Sequence, residues 1–362
     1  MSSDPRNSFE IAGRRVGPDQ PPYLIAELSG NHNGDMGRAL AMVDAARDAG
    51  ADAVKIQTYT ADTITIDHHG PGFMLDQGLW AGRSLHELYR EASTPWDWHA
   101  ALFDHAARIG IPMFSSPFDA TAVDFLETLG APAYKIASFE LVDLPLIART
   151  AATGKPMIMS TGMATAEEIA EAVAVVREIG NPLVLLHCIS GYPAPIEDSN
   201  VRTIPDMAER FGTYTGLSDH SLGHGVAAAA VSLGAVMVEK HFTLSRDDGG
   251  VDAAFSLEPE EFRTLVETCH TAWAALGRAR YDLKPSETNS RVFRRSLYVV
   301  RDMAAGEAFT PETVRSIRPG YGLPPKYLGD ILESCATRPL RRGEALDWSM
   351  VDGTEARKTG SR

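Results

Sequence analysis

What this chain of 362 residues lacks excludes several classes of protein. It has only three cysteines, Cys188, Cys269 and Cys335, far apart and with no C-x-x-C pair. That excludes a disulfide framework and a zinc knuckle and fits a reducing compartment. No stretch approaches the roughly eighteen uninterrupted apolar residues of a membrane-spanning helix. The opening MSSDPRNSFEIAGRRVGPDQPP has no apolar core of the kind a secretory signal needs, so the expected location is the cytoplasm. Positive charge is in deficit: the formal net charge of −14 argues against nucleic acid and anionic membranes as partners. Any positive field must therefore be local. Finally, no G-x-G-x-x-G follows the first apolar run, which removes the usual signature of a dinucleotide-binding sheet.

From Tyr23 onward, short apolar runs alternate with helical patterns. The runs are Tyr23 to Glu27, Ala53 to Gln57, Pro112 to Ser116, Ala133 to Ala137, Pro156 to Ser160, Leu183 to His187, Tyr214 to Ser218 and Val236 to His241. Helical patterns lie between them, among them Arg38 to Asp48, Trp96 to Arg108, Thr165 to Ile179 and the Ala/Val-rich Leu222 to Leu233, and a long one from Pro259 to Leu276 closes the series. Glycines at 50, 110, 130, 154, 180 and 234 mark helix ends just before the next run. Eight such units predict a closed (β/α)8 TIM barrel first and an open doubly wound sheet second. The expected organisation is an N-terminal extension (1–22), the barrel (23–282), a polar linker (283–290), a small unit (291–353) and a disordered tail (354–362). The connection from Thr60 to Pro95 is too long for an idle loop. Its Phe73, Trp80, Leu85 and Tyr89 predict a packed lid, and its His68-His69 pair is expected to be solvated.

The chemistry of such a barrel gathers at the C-terminal ends of its strands. Those ends read Glu27; Lys55 and Gln57; Ser115 and Ser116; Lys135, Ser138 and Glu140; Ser160 and Thr161; Ser190 and Tyr192; Ser218 and His220; and His241. A Lys inside an apolar strand is costly unless paired. Alternation turns Lys55 and Gln57, and Lys135 and Ala137, to one side and Val54, Ile56, Tyr134 and Ile136 to the other. Two lysines at one mouth suit a small anionic substrate carrying phosphate and carboxylate. In the unit running from Thr215 to Phe242, His220 and His241 fall at the same ends of parallel neighbours about 4.8 Å apart, close enough to share one metal ion. A lone histidine at a strand end is more often a hydrogen-bonded core residue, so this reading needs the other strand ends to converge.

Several ordered motifs, IAELSGNHNG, VKIQTYTADT, FSSPFD, AYKIASFE, KPMIMSTGMAT, YPAPIEDSN, GLSDHSLG, VEKHFTL and IRPGYGLPPKYL, closely resemble the sialic acid synthase family from about Tyr23 to Asp352. LWAGRSLHELYREASTPWDWH, GGVDAAFSLEPEEF and FRRSLYVV are similar to its pseudaminic acid synthase branch. The resemblance implies a barrel followed by a small β-rich SAF (antifreeze-like) domain. The implied reaction joins phosphoenolpyruvate to an N-acetylated aldose, here 2,4-diacetamido-2,4,6-trideoxy-L-altrose, with N-acetylneuraminate or legionaminate synthesis as the alternative.

The resemblance places phosphoenolpyruvate on Lys55, Ser116, Lys135, Ser138, Ser160 and Ser218 and the sugar on Glu27. It makes Glu140 a general acid or base, carries Tyr192 and Asp252 as further catalytic positions, and puts the metal, a divalent ion of the Mn2+, Mg2+ or Co2+ kind, on His220 and His241. Gln57 is a substrate-binding candidate from its strand position. Ser115-Ser116-Pro117 stands where the family often has Ser-Thr-Pro, and Ser190 stands where it commonly has Asn. The resemblance also implies a domain-swapped homodimer in which Arg318 of IRPGYG reaches the partner's sugar. Two rival classes predict other behaviour. A Schiff-base aldolase would use Lys135 or Lys55 and no metal, and a carbohydrate-binding protein would work through its C-terminal unit alone.

Overall fold

The computed structural model describes residues 7–353. The tail expected at 354–362 and the first six residues of the expected extension lie outside the described residues. The chain divides into two compact units, 1–277 and 278–362.

The first unit opens with a hairpin, β1 (Phe9–Ile11) and β2 (Arg14–Val16). Eight parallel strands then close a barrel: β3 (Tyr23–Glu27), β4 (Ala53–Thr58), β5 (Met113–Pro117), β6 (Tyr134–Ile136), β7 (Met157–Ser160), β8 (Leu183–Cys188), β9 (Tyr214–Asp219) and β10 (Met237–His241), with β10 pairing to β3. The strand alternation holds throughout. Leu24, Val54, Ile136, Met159 and Val238 face the helix layer, while Tyr23, Ile25, Ala53, Phe114, Ala133, Ile158, Val184 and Tyr214 fill the barrel interior. That interior has two storeys. The half nearest the strand starts is apolar and continuous with Phe9, Ile11 and Val16 of the hairpin; Phe9 packs on Tyr214 at 4.9 Å and the Tyr214 hydroxyl donates to the Asn7 carbonyl. The hairpin is thus a stopper for the barrel's lower end. The half nearest the strand ends is polar, and its charged groups are described below.

The surrounding helices are α1 (Met36–Asp48), α2 (Ala61–Ile64), α3 (Leu85–Ala92), α4 (Trp96–Ile109), α5 (Ala120–Thr128), α6 (Leu144–Ala151), α7 (Ala166–Ile179), α8 (Thr203–Phe211), α9 (Gly225–Ser232) and α10 (Pro259–Leu276). Their starts follow local chemistry: Ser84 with Glu87, and Thr165 with Glu168, form capping boxes that satisfy first-turn N–H groups. One boundary differs from the sequence expectation. The helix anticipated from Leu222 begins at Gly225, because Gly223 takes a left-handed φ of +77° that turns the chain first, and Leu222 is left exposed at the mouth.

Residues 60–95 form the expected packed insertion. An antiparallel bridge joins Met74 to Ser84, the Leu75 N–H donates to Arg83, and the Gly82 N–H returns to Leu75. The tip between them carries Trp80, and α3 follows. His68 and His69 are exposed.

The second unit pairs β11 (Ser296–Val299) with β12 (Val314–Ile317), adds bridges from Tyr298 to Ala345 and Met303 to Leu340, and includes a short α-helix, α11 (Leu328–Leu332). Leu297, Val299, Phe309, Val314, Ile331, Leu340 and Leu346 form its core. The stretch expected as a polar linker takes up a 3-10 helix, Pro285–Phe293, started by the Glu287 carboxylate accepting from the Lys284 N–H at 2.9 Å.

Candidate active site

A cavity of about 540 Å³ opens at the C-terminal ends of the barrel strands. Of the residues singled out in the sequence, Glu27, Lys55, Gln57, Lys135, Ser138, Glu140, Ser160, Tyr192, Ser218, His220, His241 and Asp252 line it. Ser116 stands just behind the wall, 3.2 Å from the Lys55 ammonium, and Ser190 lies near Cys188 at 4.0 Å. Arg318 belongs to the other unit. It is exposed immediately after β12, in a turn held by the Ser296 hydroxyl donating to the Pro319 carbonyl at 2.7 Å and by the Gly320 N–H donating to Val292.

The floor is a cluster of four buried charges. Lys55 Nζ is 2.9 Å from Glu27 and 3.5 Å from Glu239, and Lys135 Nζ is 3.2 Å from the same Glu239 oxygen. Gln57 donates to Glu27 at 2.8 Å and Ser218 to Glu239 at 3.3 Å. Burial opposes ionisation of Glu239, but the ammonium groups of Lys135 and Lys55 outweigh it and hold the carboxyl below its ordinary value. Burial wins at Glu27, whose pKa is raised, and at Lys135, whose pKa is lowered. Lys55 is also opposed by burial, yet the carboxylates of Glu239 and Glu27 leave it raised.

Glu239 is a charged residue of the cavity floor that the sequence reading did not single out. It shares the inward parity of His241 in β10, and a carboxylate in an otherwise apolar strand was the available signal. Cys188, at the inward end of β8 and 3.8 Å from the His220 ring, was likewise legible as an inward residue.

Beside this floor stand the two histidines. Their ring centroids are 5.3 Å apart, on strands paired in parallel with Lys240 opposite Asp219. The His220 Nδ1–H donates to the Ile189 carbonyl at 2.9 Å, which turns Nε2 towards other partners. Burial lowers the His220 pKa, but Cys188 and the Ile189 carbonyl more than offset this and leave it raised. His241 is different: burial, followed by the charges of His220, Lys55 and Lys135, holds its pKa well below the usual value, and its Nδ1 is buried without a partner. Asp252 lies 3.9 Å from that nitrogen and accepts from the Ser29 hydroxyl.

Among the described residues there is no group of three or more His, Cys, Asp or Glu able to hold a metal by itself. The unpartnered His241 Nδ1 and the neighbouring His220 ring are a pair of imidazole donors of the kind a divalent ion would accept if water or substrate completed its coordination.

Two carboxyls are held near neutrality. Burial raises Glu140 to about 7, with the nearby lysines only partly opposing it. Asp252 is pushed up to about 6 by burial, against the pull of its Ser29 hydrogen bond. Both are placed for proton transfer near neutral pH. The opposite wall comes mostly from the lid and has another character: Ile64, Leu75, Trp80, Leu85, Leu88 and Tyr89 contribute no ionised side chain.

A barrel whose strand ends carry this constellation, followed by a β-rich unit, defines the class. The chain matches the NeuB family over residues 42–281 and the SAF domain over 294–352, and it belongs to the NeuB family. It is 44% identical over 329 residues to the pseudaminic acid synthase of Campylobacter jejuni, covering 91% of this chain and 96% of that one. Identity is lower, 34% over 338 residues, with the N,N'-diacetyllegionaminic acid synthase of Legionella pneumophila, covering 91% and 94%. Among solved structures, the N-acetylneuraminic acid synthetase of Leptospira borgpetersenii, in complex with citrate, superposes with a TM-score of 0.71 at 30% identity, covering 79% of this chain and 95% of that one. Among the described residues no helix is long and apolar enough to cross a membrane.

Proposed function

We propose that this enzyme condenses phosphoenolpyruvate with 2,4-diacetamido-2,4,6-trideoxy-L-altrose and water, giving pseudaminic acid and phosphate. The observation that carries this reading is the division of one cavity into a floor with two buried ammonium groups and a lid wall without charge. The floor matches the phosphate and carboxylate of phosphoenolpyruvate. The lid wall matches the C6 methyl and acetamido methyls of a deoxy sugar, and the higher identity to pseudaminic acid synthases agrees with it.

In this reading Lys55 and Lys135 hold the anionic groups, with Ser116, Ser138, Ser160 and Ser218 as hydroxyl partners, while Glu27 and Gln57 meet the sugar. When bound on His220 and His241, a divalent ion, Mn2+ or a substitute such as Mg2+ or Co2+, supplies Lewis-acid polarisation of the open-chain aldehyde. Carbon 3 of phosphoenolpyruvate forms the new bond to the aldehyde carbon, whose oxygen gains a proton. Water adds at C2 and loses a proton, and cleavage of the C2–O bond releases phosphate. Glu140 takes the proton from water, with Asp252 as the alternative base; Tyr192 packs against His220 at 4.5 Å and keeps the metal side of the cavity enclosed.

The same reading makes the protein a homodimer in which Arg318 serves the partner's barrel. Opposite charge supports such docking, because the small unit is basic on balance while the barrel unit carries the acidic excess. The lowered pKa of Lys135 would also suit a Schiff-base aldolase, which predicts trapping by borohydride with pyruvate and activity after chelation.

Phosphate release and product mass, measured with phosphoenolpyruvate and a panel of acetamido sugars, test the proposal. The diacetamido trideoxy sugar should be used well and N-acetylmannosamine poorly. N-acetylneuraminate or a legionaminate as the better product would overturn the assignment of the sugar.

A further inference from the structure

The tip of the lid touches the metal side of the site at two places through one residue. The Trp80 indole N–H donates to the Val251 carbonyl at 2.9 Å, across 171 positions of sequence. The same ring lies 5.9 Å from Tyr192, tilted by 57°. Tyr192 in turn packs on His220 and on Phe255, and Phe255 packs on His241 at 4.9 Å. Val251 immediately precedes Asp252.

The segment before Asp252 has little stiffness of its own. Gly249 and Gly250 both take positive φ values, +69° and +127°. Asn33 ties down the carbonyls of Asp248 and Gly249, and the Val251 side chain is wedged against Gly30, where even a Cβ would stand 2.5 Å from it. Ser256 donates to the Asp252 carbonyl at 2.7 Å. Within this set, Trp80 supplies the hydrogen bond that comes from the lid.

We infer that Trp80 is a positioning residue: its N–H fixes the Val251–Asp252 turn beside His241, and its ring face fixes Tyr192 against His220. This rests on the synthase reading above and goes beyond it, because it couples the wall that meets the sugar to the groups that flank the metal pair. A sugar lodged against Leu75, Leu85 and Leu88 steadies the tip, and the tip steadies Asp252 and Tyr192. The acceptor therefore helps to assemble the site that consumes it, while phosphoenolpyruvate, held by Lys55 and Lys135, does not depend on the latch.

Trp80→Phe keeps an aromatic face and removes the donor; Trp80→Ala removes both; Leu79→Ala, at the exposed neighbouring position of the tip, is the control. Trp80→Phe should lower kcat about tenfold with KM for phosphoenolpyruvate unchanged. It should also weaken Mn2+ binding without substrates, read by calorimetry, by roughly tenfold, the usual scale for loss of support behind metal ligands. Trp80→Ala should in addition raise KM for the sugar. Leu79→Ala should match wild type in all three. If Trp80→Phe keeps kcat and Mn2+ affinity within twofold of wild type, or if Leu79→Ala loses as much, the inference is overturned. Failure of the synthase reading would look different: wild type would release no phosphate with any sugar of the panel.

Discussion

Glu239 bridges the two lysines that face the cavity: one of its carboxylate oxygens is 3.2 Å from Lys135 Nζ and 3.5 Å from Lys55 Nζ. With Glu27 also 2.9 Å from Lys55, the ammonium pair already faces two carboxyl groups, and an anionic ligand must share it with them. Glu239→Gln should lower the stability of the ligand-free protein by roughly 3 kcal/mol, because it strands buried positive charge. Inorganic phosphate should then raise Tm more in the variant than in wild type, since the anion takes the place of the lost countercharge. Equal phosphate-induced shifts would show that Glu239 and the ligand do not compete.

Lys55→Ala and Lys135→Ala should each impair use of phosphoenolpyruvate. A charge-assisted contact to a buried phosphate or carboxylate is worth roughly 2 to 3 kcal/mol, which corresponds to about a 30- to 150-fold loss in kcat/KM. Unchanged kinetics for phosphoenolpyruvate in both variants would remove the lysines from that role.

Changing His220 or His241 to Ala should abolish metal-dependent condensation, with circular dichroism checking that the barrel still folds despite the loss of a buried ring. Chelation by EDTA should do the same to the unaltered enzyme and be reversed by Mn2+. Full activity of either variant after exhaustive chelation would rule out the metal.

Glu140 gives a pH signature. Its folded pKa of about 7 lies above the ordinary value of 4.5, so its contribution favours the fold below pH 4.5 and is lost as pH rises through 7. Glu140→Gln removes this dependence. In metal-free protein the variant should therefore gain about 2 to 3 kcal/mol relative to wild type between pH 4.5 and 8, at 1.36 kcal/mol per unit of pKa. A constant difference across that range would contradict the buried, raised carboxyl.

Mixing two inactive proteins tests the dimer. His220→Ala lacks a working barrel and Arg318→Ala lacks the arm; a mixed dimer contains one site with both intact parts. Partial recovery of activity after subunit exchange is expected. No recovery despite demonstrated exchange would place Arg318 in its own chain's site or outside catalysis.

The features with a local period were legible. Inward placement of Lys55, Gln57 and Lys135 follows from strand alternation, and the pairing of His220 with His241 follows from a parallel βαβ unit. Helix ends at Gly110 and Gly180 followed from the left-handed caps they adopt. The start of α9 was misplaced because Leu222 continues the apolar composition of the helix although Gly223 breaks its geometry. The contacts of Phe9 with Tyr214 and of Trp80 with Val251 span about two hundred residues, and no periodicity encodes partners so far apart. Glu239 is a different omission, since its parity with His241 was available and only its outcome, a carboxylate shared by two lysines, needed the third dimension.

The hairpin that plugs the barrel has a kinetic consequence. With Phe9, Ile11 and Val16 packed into one end of the barrel, the charged floor is approached from the strand-end side, where the cavity lies. A ligand seated on Lys55 and Lys135 is covered by whatever binds between it and the lid, so the proposed reaction runs as a stack. Phosphoenolpyruvate is therefore expected to bind before the sugar, and initial-rate kinetics with both substrates varied would check this, a random-order pattern overturning it.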